Sequence, residues 1–204
     1  MKTKLATLLV FATLTVPLFA PPVAFDFKVP SGLNSLVFKL DAPLGAINGR
    51  AVGVAGTVWF EPQKAFATTG QIVVDATTLT VSDPLINGQL QGEKWLDTAK
   101  FKAITFQVKQ LANVKSTNDI TTADVSGTLT VKGVAKEITI PVTLAYLRGG
   151  LSQRVPNQAG DLLLISTKFA IKRTDFGINP GASTNQVPDE IQLSLDLAGA
   201  FPQR

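Results

Sequence analysis

Apolar residues recur at every second position along most of this chain, which is the period of a half-buried β-strand and not of a helix. The clearest run is 137–146, where Ile138, Ile140, Val142, Leu144 and Tyr146 alternate with Glu137, Thr139, Pro141, Thr143 and Ala145. Seven further segments share the period: 35–41 (Leu36, Phe38, Leu40), 51–60 (Val52, Val54, Val58, Phe60), 70–76 (Ile72, Val74), 103–109 (Ile104, Phe106, Val108), 123–132 (Val125, Leu129, Val131), 162–173 (Leu163, Ile165, Phe169, Ile171) and 191–198 (Ile191, Leu193, Leu195, Leu197). Asn48-Gly49 reads as the turn between the first two strands. The short link Gly133-Val134-Ala135 marks a hairpin between the fifth and sixth.

Only residues 83–101 break the period, with Leu85, Leu90, Trp95 and Leu96 scattered among Gly88, Gly92 and polar residues. This stretch is expected to be a loop with one or two short helical turns, its Trp95 filling a nearby apolar gap. Eight sequential antiparallel strands with one apolar face can close into an up-and-down barrel or stack as a two-sheet sandwich. Closure removes both edges. In a simple meander, the loops 77–102 and 174–189 then share one mouth.

Composition narrows the function. Residues 1–20 carry Lys2 and Lys4 ahead of an apolar run and then Ala20, the pattern of a cleaved secretory signal with a cut after Ala20 or Ala24. The run is too short and too interrupted by Thr13, Thr15 and Pro17 for a membrane span, so a single domain over 25–204, periplasmic or secreted, is expected. Without Lys2 and Lys4 the basic residues number 19 − 2 = 17 against 15 acidic ones, spread singly, which gives no footprint for nucleic acid. The chain has no His and no Cys. That removes Ser-His and Cys-His nucleophile pairs and His/Cys zinc clusters, so neither an enzyme nor a cofactor is expected. The carboxylates of Asp75, Asp97, Asp124, Asp175, Asp189, Glu93 and Glu190 read as solvated loop or turn groups. Gly49, Gly53 and Gly56 lack the following helix and Gly-Lys-Ser/Thr of a phosphate loop.

Several blocks carry a resemblance. Ser35-Leu-Val-Phe38, Trp95-Leu-Asp-Thr-Ala-Lys-Phe101 with Ile104-Thr-Phe106, Gly127-Thr-Leu-Thr-Val-Lys-Gly-Val-Ala-Lys136, Phe169-Ala-Ile-Lys-Arg-Thr-Asp-Phe-Gly177 and Val187-Pro-Asp-Glu-Ile191 occur in order over roughly residues 33–199. Together they resemble the motifs of the YceI-like family. The resemblance implies an all-β, eight-stranded antiparallel, lipocalin-like barrel with a short helical loop between the third and fourth strands. It also implies an isoprenoid or other long-chain lipid held along the axis. The chain departs from the family at Asn34, where a His is common, at Ile86-Asn-Gly-Gln-Leu90, and at Lys102, where a Pro is common. Contacts made by the family's His residues to a head group do not carry over.

The expected interior wall comprises Phe38, Leu40, Val54, Val58, Ile72, Val74, Phe106, Val108, Leu129, Ile140, Val142, Phe169, Ile171, Leu193 and Leu195. Gly56, Gly70 and Gly127 fall in the apolar phase and either open a tunnel or mark bends of the sheet. Arg173 and Asp175 either clamp a head group or fix a turn. Phe176 and Trp95 stand at the same mouth as plug or lid. A solidly packed barrel acting through its outer surface is the alternative to a lipid carrier.

Overall fold

The alternating segments are all extended, and in a computed structural model describing residues 22–28, 34–43 and 45–203 they form one continuous antiparallel sheet. The signal reading for residues 1–20 lies outside the described residues. The elements are β1 (Val23–Asp26), β2 (Ser35–Ala42), β3 (Gly45–Ala51), β4 (Val54–Phe60), β5 (Thr69–Asp75), β6 (Thr80–Val81), α1 (Pro84–Gln91), β7 (Ala103–Thr117), β8 (Ile120–Val131), β9 (Val134–Leu147), β10 (Gly160–Lys172) and β11 (Glu190–Pro202). Neighbours run β1-β4-β5-β7-β8-β9-β10-β11, and β1 returns to β11 through Asp26 opposite Ala200, closing the ring.

The eight staves are not eight uninterrupted strands. β2 continues the line of β1 along β11, pairing at Asp196 to Gln192, while β3 continues into β4 across a bend at Val52-Gly53. β2 pairs with β3, and β1 with β4, so these four strands make two staves. Where the first stave breaks, the buried Asn34 side chain stands in for a backbone pair. Its Oδ1 accepts from Ala198 N at 2.7 Å, and its Nδ2 donates to Ala198 O at 3.3 Å and Phe27 O at 2.5 Å. Asn34 therefore serves the fold here.

Three sequence expectations change. Asn48 and Gly49 are not a turn but lie within β3, opposite Lys39 and Phe38, and the reversal falls between Ala42 and Gly45. Gly49 is needed inside the strand because the Phe38 ring occupies the space a Cβ would take. Val52 does not share the inner face of Val54 and Val58. It is 50% exposed at the bend, where Gly53 N donates to Thr78 Oγ1 and Gly53 O accepts from Asp75 N. The strand beginning at Ala103 runs on to Thr117, because a register shift between Val108 and Gln110 moves the inward phase from Val108 to Leu111.

β1 is the element the alternation was not extended to cover. Val23, Phe25 and Phe27 alternate with Ala24, Asp26 and Lys28, and Phe25 and Phe27 are both fully buried. The expected short helix is present after the third stave. α1 starts at Pro84, whose fixed φ and missing N–H suit the first helical position, and Asp83 caps it by accepting from Leu85 N and Ile86 N.

Candidate functional site

The barrel is filled at one end and hollow at the other. At the filled end, Phe25 packs edge-on against Tyr146 and Phe201, each with ring centroids 6.2 Å away, and Phe60 lies 6.3 Å from Tyr146. The Tyr146 hydroxyl is satisfied by Asp161 Oδ2 at 2.7 Å, and Asp161 Oδ1 accepts from Gly149 N. These contacts form a base across the barrel. Above it lies a cavity of about 320 Å³, within the size range of pockets for small organic ligands.

Every expected interior residue except Val54 lines this cavity. Val54 is buried opposite Val74 beside the bend, so it supports the wall from a position that does not reach the void. Ile72, Phe106, Val108, Phe169, Ile171, Leu193 and Leu195 are only partly buried although they point inward, because the hollow leaves their inner surfaces uncovered. Gln89, Thr68 and Thr167 are the polar side chains of the lining. Thr68 donates to Ala65 O and Thr167 to Pro141 O, so both hydroxyl protons are used within the wall. Among the described residues, no Asp, Glu, Lys or Arg lines the cavity. Such a surface can gain free energy only by taking hydrocarbon out of water, about 0.8 kcal/mol for each buried CH₂.

The glycines do not border the void. A Cβ at Gly56 would meet Gln71 O, and one at Gly70 would meet Thr57 O at 2.5 Å; their φ values of +147° and +151° mark a sharply coiled β4–β5 pair. Gly127 has a different part. A Cβ there would strike Gln107 O on the neighbouring strand and lie 2.7 Å from Phe106 Cζ, so the glycine seats the Phe106 ring flat on the wall. These glycines make room for neighbours: Gly56 and Gly70 for the facing backbone of the paired strand, and Gly127 for the Phe106 ring.

The two long loops do meet at one mouth. Asn179 N donates to Lys94 O at 2.7 Å, and Lys132 Nζ from the β8–β9 turn reaches both Lys94 O and Gly177 O. Trp95 lines the cavity beneath them, with Ile86 and Leu90 from α1 and with Ile178 and Val187 from the second loop. Arg173 is not a head-group clamp. It is fully buried, and its guanidinium donates to the carbonyls of Pro188, Ile178, Asn179, Ala182 and Val187, which folds residues 174–189 around it. Of the two expectations for Arg173, its contacts match the fixing of a turn, with five carbonyls in place of the partner charge that a buried cation ordinarily requires. Asp175 is exposed on the outside, and Phe176 is buried without touching the void. Asp189 holds the same loop. Partial desolvation raises its carboxyl, but hydrogen bonds from Thr174 N and Oγ1, with the charges of Arg173 and Lys172, outweigh this and keep it below the ordinary carboxylate range.

Known proteins share this architecture. The profile of the YceI-like domain matches residues 31–198. A UPF0312 protein of Shewanella sp. (strain W3-18-1) is 26% identical over 199 residues, covering 97% of this chain and 96% of the relative. The crystal structure of Burkholderia cenocepacia BcnA superposes with a TM-score of 0.65 at 25% identity, over 81% of this chain and 95% of that one. A polyisoprenoid binding domain from Saccharophagus degradans, implicated in plant cell wall breakdown, superposes with a TM-score of 0.64 at 16% identity, over 89% of this chain and 99% of that domain.

Proposed function

The chain belongs to the YceI-like family, and on that premise we propose that its barrel holds one long-chain isoprenoid, or an amphiphile with a similar tail, without acting on it chemically. The observation that carries this reading is the lining: a hollow walled mainly by Leu, Ile, Val and Phe, with no titratable side chain among the described residues. A methyl-studded wall suits a branched polyprenyl chain, and burial of a few isoprene units supplies the free energy without an ionic anchor. The apolar chemistry of the lining supports carriage of a hydrocarbon tail. The polyisoprenoid binding domain that shares the fold supports the same class of ligand. The composition of residues 1–20 supports work in the cell envelope, which fractionation of the producing cells would test.

Organic extraction of natively purified protein, followed by mass spectrometry, should release a polyprenyl lipid in near-stoichiometric amount. Protein stripped of lipid should then take up geranylgeraniol saturably. Replacing Leu129 with Trp, which projects more volume into the hollow, should leave a folded barrel that takes up little. No lipid in the extract and no saturable uptake by the stripped protein would sink the proposal.

A further inference from the structure

In the wall of the hollow end, the neighbouring strands β9 and β10 are joined by backbone pairing over only part of their length. β9 and β10 pair from Leu147 opposite Leu162 as far as Val142 opposite Thr167, and there the ladder stops. β9 continues to Val134 and β10 to Lys172, each still paired on its other side, β9 to β8 and β10 to β11. The cause is in the sequence. Thr167 Oγ1 donates to Pro141 O at 2.7 Å, so the backbone at position 141 faces β10, and on that edge proline has no N–H to give. A side chain closes the last rung, and no ladder pair follows it between the described residues of the two strands.

Beyond the last rung the inward phase is apolar on both strands, Ile138 and Ile140 on β9 and Phe169 and Ile171 on β10, and all but Ile138 line the cavity. The outer rim of this seam is exposed and polar, with Glu137 and Thr139 on one lip and Lys168 and Lys172 on the other. Both ends of the barrel are better secured. The base is a cluster of interlocked rings, and the mouth is tied by the five Arg173 hydrogen bonds, by Asn179 to Lys94 and by Lys132. Opening the seam breaks no ladder pair between β9 and β10 beyond Val142–Thr167, whereas opening the mouth breaks the hydrogen bonds that tie its loops, most of them part-buried.

We infer that the β9–β10 seam is the lateral portal through which a hydrocarbon tail reaches the cavity, its polar head staying in water along the Lys168–Lys172 lip. This rests on the carrier reading above. The test uses the absence of native cysteine. Thr139→Cys with Ala170→Cys places one thiol on each lip, at positions that would face each other if the Val142–Thr167 register continued. The pair is linked by oxidation or, failing that, by a short bismaleimide, with mass spectrometry confirming the link. Lys94→Cys with Asn179→Cys links the mouth loops as a comparison. Geranylgeraniol uptake is followed by stopped-flow fluorescence of Trp95, which lines the cavity.

The seam link should slow association at least tenfold with little change in equilibrium affinity, while the mouth link leaves the rate within twofold. Pro141→Thr, which restores the missing donor, should also slow uptake, and amides of residues 134–141 on the β10 side should exchange faster than those of 143–147. Uptake at the unlinked rate through a linked seam overturns the portal while the carrier reading stands. Absence of any geranylgeraniol binding by the unlinked protein overturns the carrier reading and the portal with it.

Discussion

The two ends of this barrel are built from the same alternating strands, yet one is solid and the other is empty. At the base, Phe25, Phe60, Tyr146 and Phe201 form a cluster of rings in T-shaped and tilted contact. In the hollow half, rings are present as well, but they lie down. Phe38 covers Gly49 and Phe106 covers Gly127, each on the neighbouring strand, and most of the remaining wall is Leu, Ile and Val. An eight-stranded barrel is just wide enough for side chains to fill or for one slender ligand to enter. Which of these occurs is therefore decided by where the aromatic rings point, and glycines on adjacent strands decide that.

The sharpest way to break the comparison is to truncate one Phe in each half. Phe25→Ala removes a fully buried ring from a closely packed cluster and should cost about 3–5 kcal/mol in urea denaturation. Phe169→Ala removes a ring whose inner surface already faces the void, and the loss should be less than half as large. Equal losses would mean that the hollow half is packed as tightly as the base.

Next in size is Arg173→Met. It leaves five carbonyls of the mouth loop without their donor, at about 1–3 kcal/mol for each acceptor that stays buried. Because the loop can open to water, the expected outcome is a total loss of about 2–4 kcal/mol with new protease sensitivity confined to residues 174–189. The base should remain protected in hydrogen exchange.

Gly127→Leu sharpens the account of the hollow itself. The added side chain meets Gln107 O and the Phe106 ring, so it should destabilise the fold by about 1–3 kcal/mol through overpacking. It should also lift the Phe106 ring off the wall into the cavity and reduce geranylgeraniol uptake by the folded protein. Adding Phe106→Ala to Gly127→Leu should recover uptake. Unchanged uptake in the single variant would show that the ring's seat does not keep the axis open.

The inward face was legible because a period of two requires no knowledge of which strand lies alongside, and Ile140, Val142, Leu193 and Leu195 could be placed from their spacing alone. Closure and the lipid expectation came instead from the ordered family blocks. What the spacing hid has physical reasons. The bulge after Val108 shifts the phase, so Leu111 falls out of step with Phe106 although both line the cavity. Asn48-Gly49 has turn chemistry, but Gly49 is there to receive a ring. β1 comes soon after the apolar run of residues 5–19, and in the sequence Val23 and Phe25 merge with its hydrophobicity. Arg173 is surrounded by carbonyls from a loop that has no period to read.

The smallest expected effects separate the two ends by pH. Tyr146 in the base has its pKa raised, by loss of solvent first and then by its hydrogen bond to Asp161 and that carboxylate's charge, with Arg148 opposing weakly. A raised value means the neutral hydroxyl is favoured in the folded state. Its contribution is complete below the ordinary tyrosine value of about 10 and is lost as pH rises through the folded value. Asp189 at the mouth has its pKa lowered, the Thr174 hydrogen bonds and nearby cations prevailing over desolvation, so its contribution is present above the ordinary carboxylate value of about 3.9 and lost as pH falls through the folded value. Alkali should therefore loosen the base first and acid the mouth first. Hydrogen exchange resolved by segment should show the alkaline change around Tyr146 vanish in Tyr146→Phe and the acid change around residues 174–189 vanish in Asp189→Asn. If both ends loosened together at either extreme, the base and the mouth would be one cooperative unit, and the hollow between them would not divide the barrel energetically.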